Sequence, residues 1–168
     1  AIHMQRIGFE NEESENELIG FEHESNHMTA LLLFDITELE EVRQENVDLK
    51  LVPAIIYIDN YDEIVDKVEI VKKSMLTAVI DRKITAYFQA MDGIVEKIEK
   101  DKYFVAFQYR YLKKLEENRF SLLEEVKSIH MGNDSDVTLS IGVGVGAQTY
   151  TESLEFASAA INIALGRG

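Results

Sequence analysis

The sequence predicts an α+β fold, in which an antiparallel sheet packs against helices, and three observations support this prediction. Residues 52–59 (VPAIIYID) form a nearly continuous apolar run, which is typical of a central strand covered on both faces. Two short apolar segments, 94–98 and 103–107, flank the charged turn Glu99–Lys102, which indicates a hairpin. Apolar residues at helical spacing occupy most of the chain between these strands.

The first fifty residues predict a strand and a helix after an acid-rich segment. Ala1–Met4 resembles a cloning scar, because His-Met is a common vector junction, and we exclude it from the fold prediction. Residues 5–27 indicate a loop or an irregular hairpin, and residues 28–35 (MTALLLFD) indicate a strand. Residues 36–50 predict a polar helix with one narrow stripe, which favours a linker helix or pairing in a homodimer. That stripe consists of Leu39, Val42, Asn46 and Leu49.

From residue 52 onward the predicted order of elements is β-α-β-β-α-β-α. A long helical region follows the central strand at about 62–91, and a second helix follows the hairpin at 112–130. Residues 137–145 predict a strand, and residues 152–165 predict a final helix. This order resembles a ferredoxin-like or polymerase-palm arrangement, which is an antiparallel sheet with helices on one face. The expected buried stripe of the long helical region is Ile64, Val68, Val71, Met75, Val79, Tyr87 and Met91.

The composition and net charge exclude several classes of binding partner and of functional site. The chain has 168 residues, 46% of them hydrophobic, which is enough for one ordinary domain with its own core. Its 31 acidic residues outnumber 17 basic ones and give a net charge of −14, so a nucleic-acid partner is not expected. The lack of cysteine excludes disulfides, thiolate zinc sites and cysteine nucleophiles. No apolar run reaches the ~18 residues that a membrane helix needs.

Two short motifs match known patterns, and a structural explanation is preferred for both. Residues 23–27 (HESNH) match H-E-x-x-H, but helical periodicity is missing there, so a zinc site is not expected. Residues 142–147 (GVGVGA) fit a dinucleotide-binding pattern, but no strand with an acidic residue follows in the sequence. Alternation places Gly142 and Gly144 on one face of a strand, where a helix or a ligand can approach closely. Packing is the preferred reason for these glycines.

An acidic cluster follows the central strand. Asp59 ends that strand, and Asp62 and Glu63 come shortly after it. Carboxylates at a strand end can hold Mg²⁺ together with a nucleotide. The same residues can instead begin a helix, where Asp62 and Glu63 complement the positive end of the helix dipole. From the composition alone, the helix start is the preferred explanation.

Five segments carry a family resemblance, and they occur in the order IDNYDE (58–63), KDKY (100–103), FSLL (120–123), LSIGVG (139–144) and ALGRG (164–168). Together they resemble the degenerate GGDEF domain of the membrane-bound cyclic-di-AMP phosphodiesterases of Gram-positive bacteria, the GdpP type. Residues 32–37 (LLFDIT) are similar to the end of a PAS domain. The resemblance implies a GGDEF-type βαββαβ fold at 52–168, a linker helix at 39–51 and a PAS remnant at 5–38.

Compared with an active diguanylate cyclase, the resemblance implies a degenerate site. Tyr57 stands where a cyclase has its first metal-binding Asp, and Asp59 matches the second Asp of that motif. Residues 99–103 (EKDKY) stand in place of Gly-Gly-Asp-Glu-Phe, so Lys102 replaces a metal-binding Glu. The inhibitory R-x-x-D falls at 90–93 (AMDG), without its Arg and its final Asp. Phosphoryl transfer depends on metal ions to neutralise charge, so no cyclase activity is expected.

The parent proteins of this family combine two membrane helices, a PAS domain, a degenerate GGDEF domain and a DHH-type phosphodiesterase unit. That last unit uses Mn²⁺ to open cyclic di-AMP, and no D-H-H motif stands in this sequence. The resemblance therefore implies a regulatory domain that relays PAS signals to an absent hydrolase. It also implies that this domain lies on the cytoplasmic side of the cell membrane.

A bound nucleotide is the remaining chemical expectation. The resemblance implies at most slow ATP hydrolysis. If Mg²⁺ and ATP bind, Asp59 and Asp101 are the best metal ligands, and Lys100 or Lys102 would contact phosphate. The alternative, from a different class, is a purely structural dimerisation and signal-transmission module without a ligand. Titration with nucleotide distinguishes the two hypotheses.

Overall fold

The computed structural model describes residues 2–9, 28–133 and 135–166. The chain divides into two compact units, residues 1–45 and 46–168. In the described part of the chain, no helix is long and apolar enough to cross a membrane.

The first unit contains a two-stranded antiparallel sheet. Strand β1 (Ile2–Phe9) pairs with β2 (Met28–Asp35), so that Ile2 lies opposite Asp35 and Phe9 opposite Met28. The exclusion of residues 1–4 from the fold was therefore wrong for residues 2–4, which are strand residues with register partners. Residues 5–9 also belong to β1, whereas the rest of the predicted loop lies outside the described residues. The same holds for the H-E-x-x-H segment at 23–27.

Helix α1 (Thr37–Asp48) follows β2 directly, which agrees with the predicted helix but shifts the proposed linker boundaries of 39–51. The Asp35 carboxylate accepts hydrogen bonds from the Thr37 hydroxyl at 2.6 Å and from its backbone N–H at 2.9 Å. These two bonds lower the pKa of Asp35, because they stabilise its charged form. Helix α1 contains no buried residue, and Leu39, Val42 and Leu49 of the predicted stripe are all exposed.

The second unit is built on a four-stranded antiparallel sheet with the order β4-β5-β3-β6. Its strands are β3 (Leu51–Ile58), β4 (Ile94–Lys97), β5 (Lys102–Gln108) and β6 (Leu139–Val143). The predicted central position of β3 is confirmed, since β3 pairs with β5 on one side and β6 on the other. The predicted hairpin is confirmed too, because β4 and β5 pair across the turn at 98–101. The predicted strand at 137–145 is shorter at both ends.

Helices cover both faces of this sheet, which corrects the expectation of helices on one face. One face of β3 packs into the large core that includes α2 (Tyr61–Asp66) and α3 (Ile70–Gln89). The other face, with Ile55, packs against α6 (Tyr150–Leu165). The continuous apolar run of β3 had indicated this double covering correctly. The comparison with a ferredoxin-like or polymerase-palm arrangement predicts helices on one face only and does not indicate the second layer.

The long helical region contains a break that changes which residues are buried. Residues 67–69 separate α2 from α3, and Glu69 adopts an extended backbone. Because this turn resets the helical phase, Val71 and Met75 are 76% and 55% exposed instead of buried. The buried residues of α3 are Leu76, Ile80, Ile84 and Phe88.

The second predicted helix is also divided. Helices α4 (Leu112–Glu117) and α5 (Leu122–Lys127) replace one helix over 112–130, after a short 3₁₀ turn at Tyr109–Tyr111. Between them Arg119 and Phe120 both have φ of 52°, a left-handed backbone that cannot continue an α-helix.

Gly142 in β6 and Gly144 directly after it allow α6 to approach the sheet closely, which confirms the packing explanation. A Cβ on Gly142 would lie 2.5 Å from the Ala157 carbonyl oxygen, and one on Gly144 would lie 1.7 Å from that of Ser153. No side chain fits at either position while α6 keeps its place. The helix start is capped by Thr149, whose hydroxyl accepts from the Glu152 N–H at 3.2 Å.

Candidate functional site

The candidate site lies where β3 ends, beside the β4–β5 turn and the start of α2. The Ile58 N–H donates to the Asp101 carbonyl at 2.8 Å, so the hairpin turn meets the last residue of β3. The Asp59 N–H donates to the Thr138 carbonyl at 3.0 Å on the opposite side. Asp59 is exposed between these two attachments. The structure thus brings Asp59 and the predicted Asp101 to the same end of the sheet.

Asn60 fixes the segment that leads into β6, a role that the sequence analysis missed. Its amide nitrogen donates to the Asp136 carbonyl at 2.8 Å. Its amide oxygen accepts from the N–H and the hydroxyl of Thr138, both at 3.1 Å. An asparagine before a helix suggests a local cap, but these partners lie 76 and 78 residues further along the chain. Only the folded sheet brings them together.

Lys100, a predicted phosphate ligand, joins the hairpin turn to α2. Its ammonium nitrogen lies 2.7 Å from Asp62 Oδ2 and 5.7 Å from the centre of the Tyr61 ring. The hydrogen bond to Asp62 raises the pKa of Lys100, because it stabilises the charged ammonium. Asp62 therefore accepts from a lysine in addition to standing in the first turn of α2. The helix-start explanation of Asp62 is correct but incomplete.

Lys102, the other predicted phosphate ligand, lies over Tyr57. The two residues are register partners of β5 and β3, and the ammonium lies 5.6 Å from the ring centre. Lys102 also approaches Glu99 Oε1 at 3.8 Å. Desolvation raises the pKa of Tyr57, and the negative charges of Asp101 and Glu99 raise it further. A neutral phenol and a lysine thus occupy the positions that the resemblance assigns to two metal-binding carboxylates.

The described part of the chain contains no ready-made cluster of ligands for a metal ion. Over residues 34–133 and 135–166, no group of three or more His, Asp or Glu side chains is placed to hold a metal ion. Mg²⁺ commonly binds one or two protein carboxylates together with phosphate oxygens and water. Asp59 and Asp101 are the two carboxylates predicted for such an arrangement, and Lys100 and Lys102 stand next to Asp101 in the chain.

Behind the site, a buried tyrosine ties β5 to α3. The Tyr103 hydroxyl donates to the Asp81 carboxylate, which also accepts from Lys97 at 2.9 Å. Burial raises the pKa of Tyr103, and the hydrogen bond to Asp81 adds to that effect. The sequence analysis missed Asp81, because an acidic residue within a helix carries no local signal of a partner on a distant strand.

Comparison with known proteins identifies the family. Residues 56–168 match the model of the family described as cyclic-di-AMP phosphodiesterase GdpP-like, GGDEF domain. The chain is 31% identical over 142 residues to cyclic-di-AMP phosphodiesterase GdpP of Geobacillus thermodenitrificans, which covers 84% of this chain and 22% of that protein. It is 28% identical over 138 residues to cyclic-di-AMP phosphodiesterase PdeA of Listeria monocytogenes, covering 82% of this chain and 21% of that protein. The chain therefore spans about a fifth of the length of these relatives.

Solved structures of low sequence identity share the fold. The GGDEF domain of DgcB from Caulobacter crescentus superposes with a TM-score of 0.60 at 15% identity, over 78% of this chain and 80% of that chain. The FimX GGDEF domain from Pseudomonas aeruginosa gives a TM-score of 0.58 at 14% identity, over 79% of this chain and 88% of that chain. These similarities and the antiparallel sheet establish an α+β, GGDEF-type fold. By the family match, the chain belongs to the GGDEF domains of GdpP-like cyclic-di-AMP phosphodiesterases.

Proposed function

We propose that this chain is a degenerate, regulatory GGDEF domain that controls a phosphodiesterase unit for cyclic di-AMP. The observation that carries the proposal is the lysine-rich turn at 99–102, which is fastened over the end of β3. Lys100 binds Asp62 and Lys102 lies over Tyr57, so lysine side chains stand where the resemblance gives an active cyclase a glycine and a metal-binding glutamate. In this proposal the domain transmits a signal from a preceding PAS domain to the hydrolase.

The proposed lack of cyclase activity follows from charge. Phosphoryl transfer needs metal ions that neutralise the charge developing on phosphate oxygens, and carboxylates usually hold those ions. At the corresponding positions this chain has Tyr57 and Lys102. The test is incubation with GTP and Mg²⁺ or Mn²⁺, followed by chromatography. We expect no cyclic di-GMP, and product formation above a mock preparation would contradict the proposal.

A weak site for Mg²⁺ and ATP is the second part of the proposal. Asp59 and Asp101 would hold the metal ion, while Lys100 would exchange Asp62 for a phosphate oxygen. That exchange costs little free energy, because exposed ion pairs contribute little to stability and the side chains of Lys100 and Asp62 are both more than half exposed. Slow ATP hydrolysis at this site would be the residual activity of the family.

Calorimetric titration with ATP in the presence of Mg²⁺ tests this site. Lys100→Ala should weaken ATP binding by roughly tenfold, the size of a lost charge-assisted contact. Lys83→Ala is the matched control, because Lys83 also forms an exposed ion pair, at 3.5 Å, and its partner Glu125 lies on α5 instead of at the end of β3. Equal affinity in the wild type and both variants would exclude a phosphate contact at Lys100. Absence of any binding heat would favour the structural module without ligand.

A further inference from the structure

Lys100 and Lys102 lie at the β4–β5 turn, and their side chains are held to different degrees. The Lys100 ammonium donates to both carboxylate oxygens of Asp62, with a distance of 2.7 Å to Oδ2. The Lys102 ammonium lies 3.8 Å from Glu99 Oε1, which is beyond the usual length of a hydrogen bond. Asp62 therefore holds Lys100 more firmly than Glu99 holds Lys102.

Backbone bonds and core packing keep the turn and α2 in place without help from the ion pair between them. The Ile58 N–H donates to the Asp101 carbonyl at 2.8 Å, and the Ile98 N–H donates to the Lys102 carbonyl at 2.9 Å. Helix α2 is anchored separately, because its residue Ile64 is 1% exposed and belongs to the large core. The ion pair can therefore open while the fold stays unchanged, and its exposed ammonium is accessible to an anion from solution.

From this geometry we infer that Asp62 is an autoinhibitory residue, which competes with the phosphate groups of a nucleotide for Lys100. The inference rests on the proposed nucleotide site and adds a residue that weakens it. A carboxylate and a phosphate group both accept charge-assisted hydrogen bonds from an ammonium, so Asp62 occupies N–H groups that phosphate would use.

Sharing the ammonium does not remove this competition. Two oxygen atoms that each accept a hydrogen bond from one ammonium lie less than ~6 Å apart. Like charges at that distance repel each other. A phosphate group therefore binds Lys100 weakly while the Asp62 carboxylate stays in place, and more tightly once Asp62 has moved away or lost its charge.

The variant Asp62→Asn tests the inference, because it removes the charge and keeps an oxygen that accepts a hydrogen bond. Exposed ion pairs change an equilibrium by up to about fivefold, so ATP with Mg²⁺ should bind this variant about fivefold more tightly in calorimetric titration. Asp66→Asn is the matched control, since Asp66 also lies on α2 and forms an exposed ion pair, with Lys73 at 3.4 Å. It should change the affinity for ATP by less than ~2-fold.

A double-mutant cycle separates competition for Lys100 from a general loss of negative charge. In a Lys100→Ala background, Asp62→Asn should change the affinity by less than ~2-fold, because the lysine for which it competes is gone. An equal gain in both backgrounds, no gain in either, or an equal gain from Asp66→Asn would overturn the inference and leave the proposed nucleotide site unaffected. If neither the wild type nor Asp62→Asn binds ATP, the nucleotide site and the inference both fail.

Urea denaturation followed by circular dichroism shows whether the ion pair has a structural role instead. Asp62 and Asp66 have side chains that are 70% and 77% exposed, so Asp62→Asn and Asp66→Asn should unfold at the same urea concentration. A much lower midpoint for Asp62→Asn would show that the ion pair maintains the fold, and it would overturn the autoinhibitory role.

Discussion

Replacing Gly144 by alanine should destabilise the second unit through its closest helix–sheet contact. The new Cβ would lie 1.7 Å from the Ser153 carbonyl oxygen, whereas ordinary contact begins at 3.4 Å. The obstacle is backbone, so no side-chain rotation relieves it. Helix α6 must move away from β6 by about 1.7 Å or the strand must bend.

The expected loss of stability follows from the cluster beneath α6. A gap of ~0.5–1 Å already removes a quarter to a half of the attraction between packed atoms. Burial of an isoleucine is worth about 1.5–3 kcal/mol, so weakening the contacts of both Ile55 and Ile161 by half costs about 1.5–3 kcal/mol. Alanine lowers the entropy of the unfolded chain and returns ~0.4–1 kcal/mol. We therefore expect a net loss of about 1.5 kcal/mol.

Urea denaturation followed by circular dichroism measures this loss. Gly146→Ala is the control, because nothing lies within 4 Å of its added Cβ and only its φ of +83° is unfavourable. That backbone strain should cost ~1 kcal/mol. Ser153→Gly should not rescue Gly144→Ala, since the clash involves the main chain. Stability within ~0.5 kcal/mol of the wild type, or rescue by Ser153→Gly, would refute the close-packing argument.

Two further predictions concern the core of the second unit. Tyr103→Phe should cost about 1.5 kcal/mol, because the variant loses a partly buried hydrogen bond to a carboxylate. The pKa of Tyr103 is raised in the folded state. The stability that the neutral Tyr103 phenol contributes is therefore complete below the unfolded-state pKa near 10, and it is lost as the pH rises from there toward the folded-state pKa. Urea midpoints from pH 8 to 11 should therefore fall less steeply in Tyr103→Phe than in the wild type, and parallel curves would contradict the assignment. Leu76→Ala should cost ~2–5 kcal/mol, while Val71→Ala should change stability by less than ~0.5 kcal/mol, because Leu76 is fully buried and Val71 exposed. The reverse order would restore the helical stripe that the sequence suggested.

Much of the sheet could be predicted from sequence, because its signals are local. The continuous apolar run of β3, the charged hairpin turn and the alternating glycines of β6 each reflect the environment of their own strand. The stripe of α3 was wrong because the extended backbone of Glu69 resets the helical phase. An error of one residue in the helical phase exchanges buried and exposed positions. The prediction therefore placed Met75 in the core, although its neighbour Leu76 is the buried residue.

The candidate site was only partly predictable for a related reason. The family resemblance grouped Asp59 and Asp101 as candidate metal ligands, and the structure places both at the same end of the sheet. The partners of Lys100, Asn60 and Tyr103 depend on contacts between distant elements, which no local pattern encodes. Such contacts arise only once strand order and helix phase are fixed.

The regulatory proposal is tested most directly by the hydrolysis of cyclic di-AMP in a full-length phosphodiesterase that carries this domain. The rate is compared between the intact protein and a variant in which a flexible linker replaces residues 51–166. We predict that the variant still hydrolyses cyclic di-AMP, at a rate changed by ~3-fold or more, as coupling between domains requires. An unchanged rate in a folded variant would contradict the regulatory role of this domain.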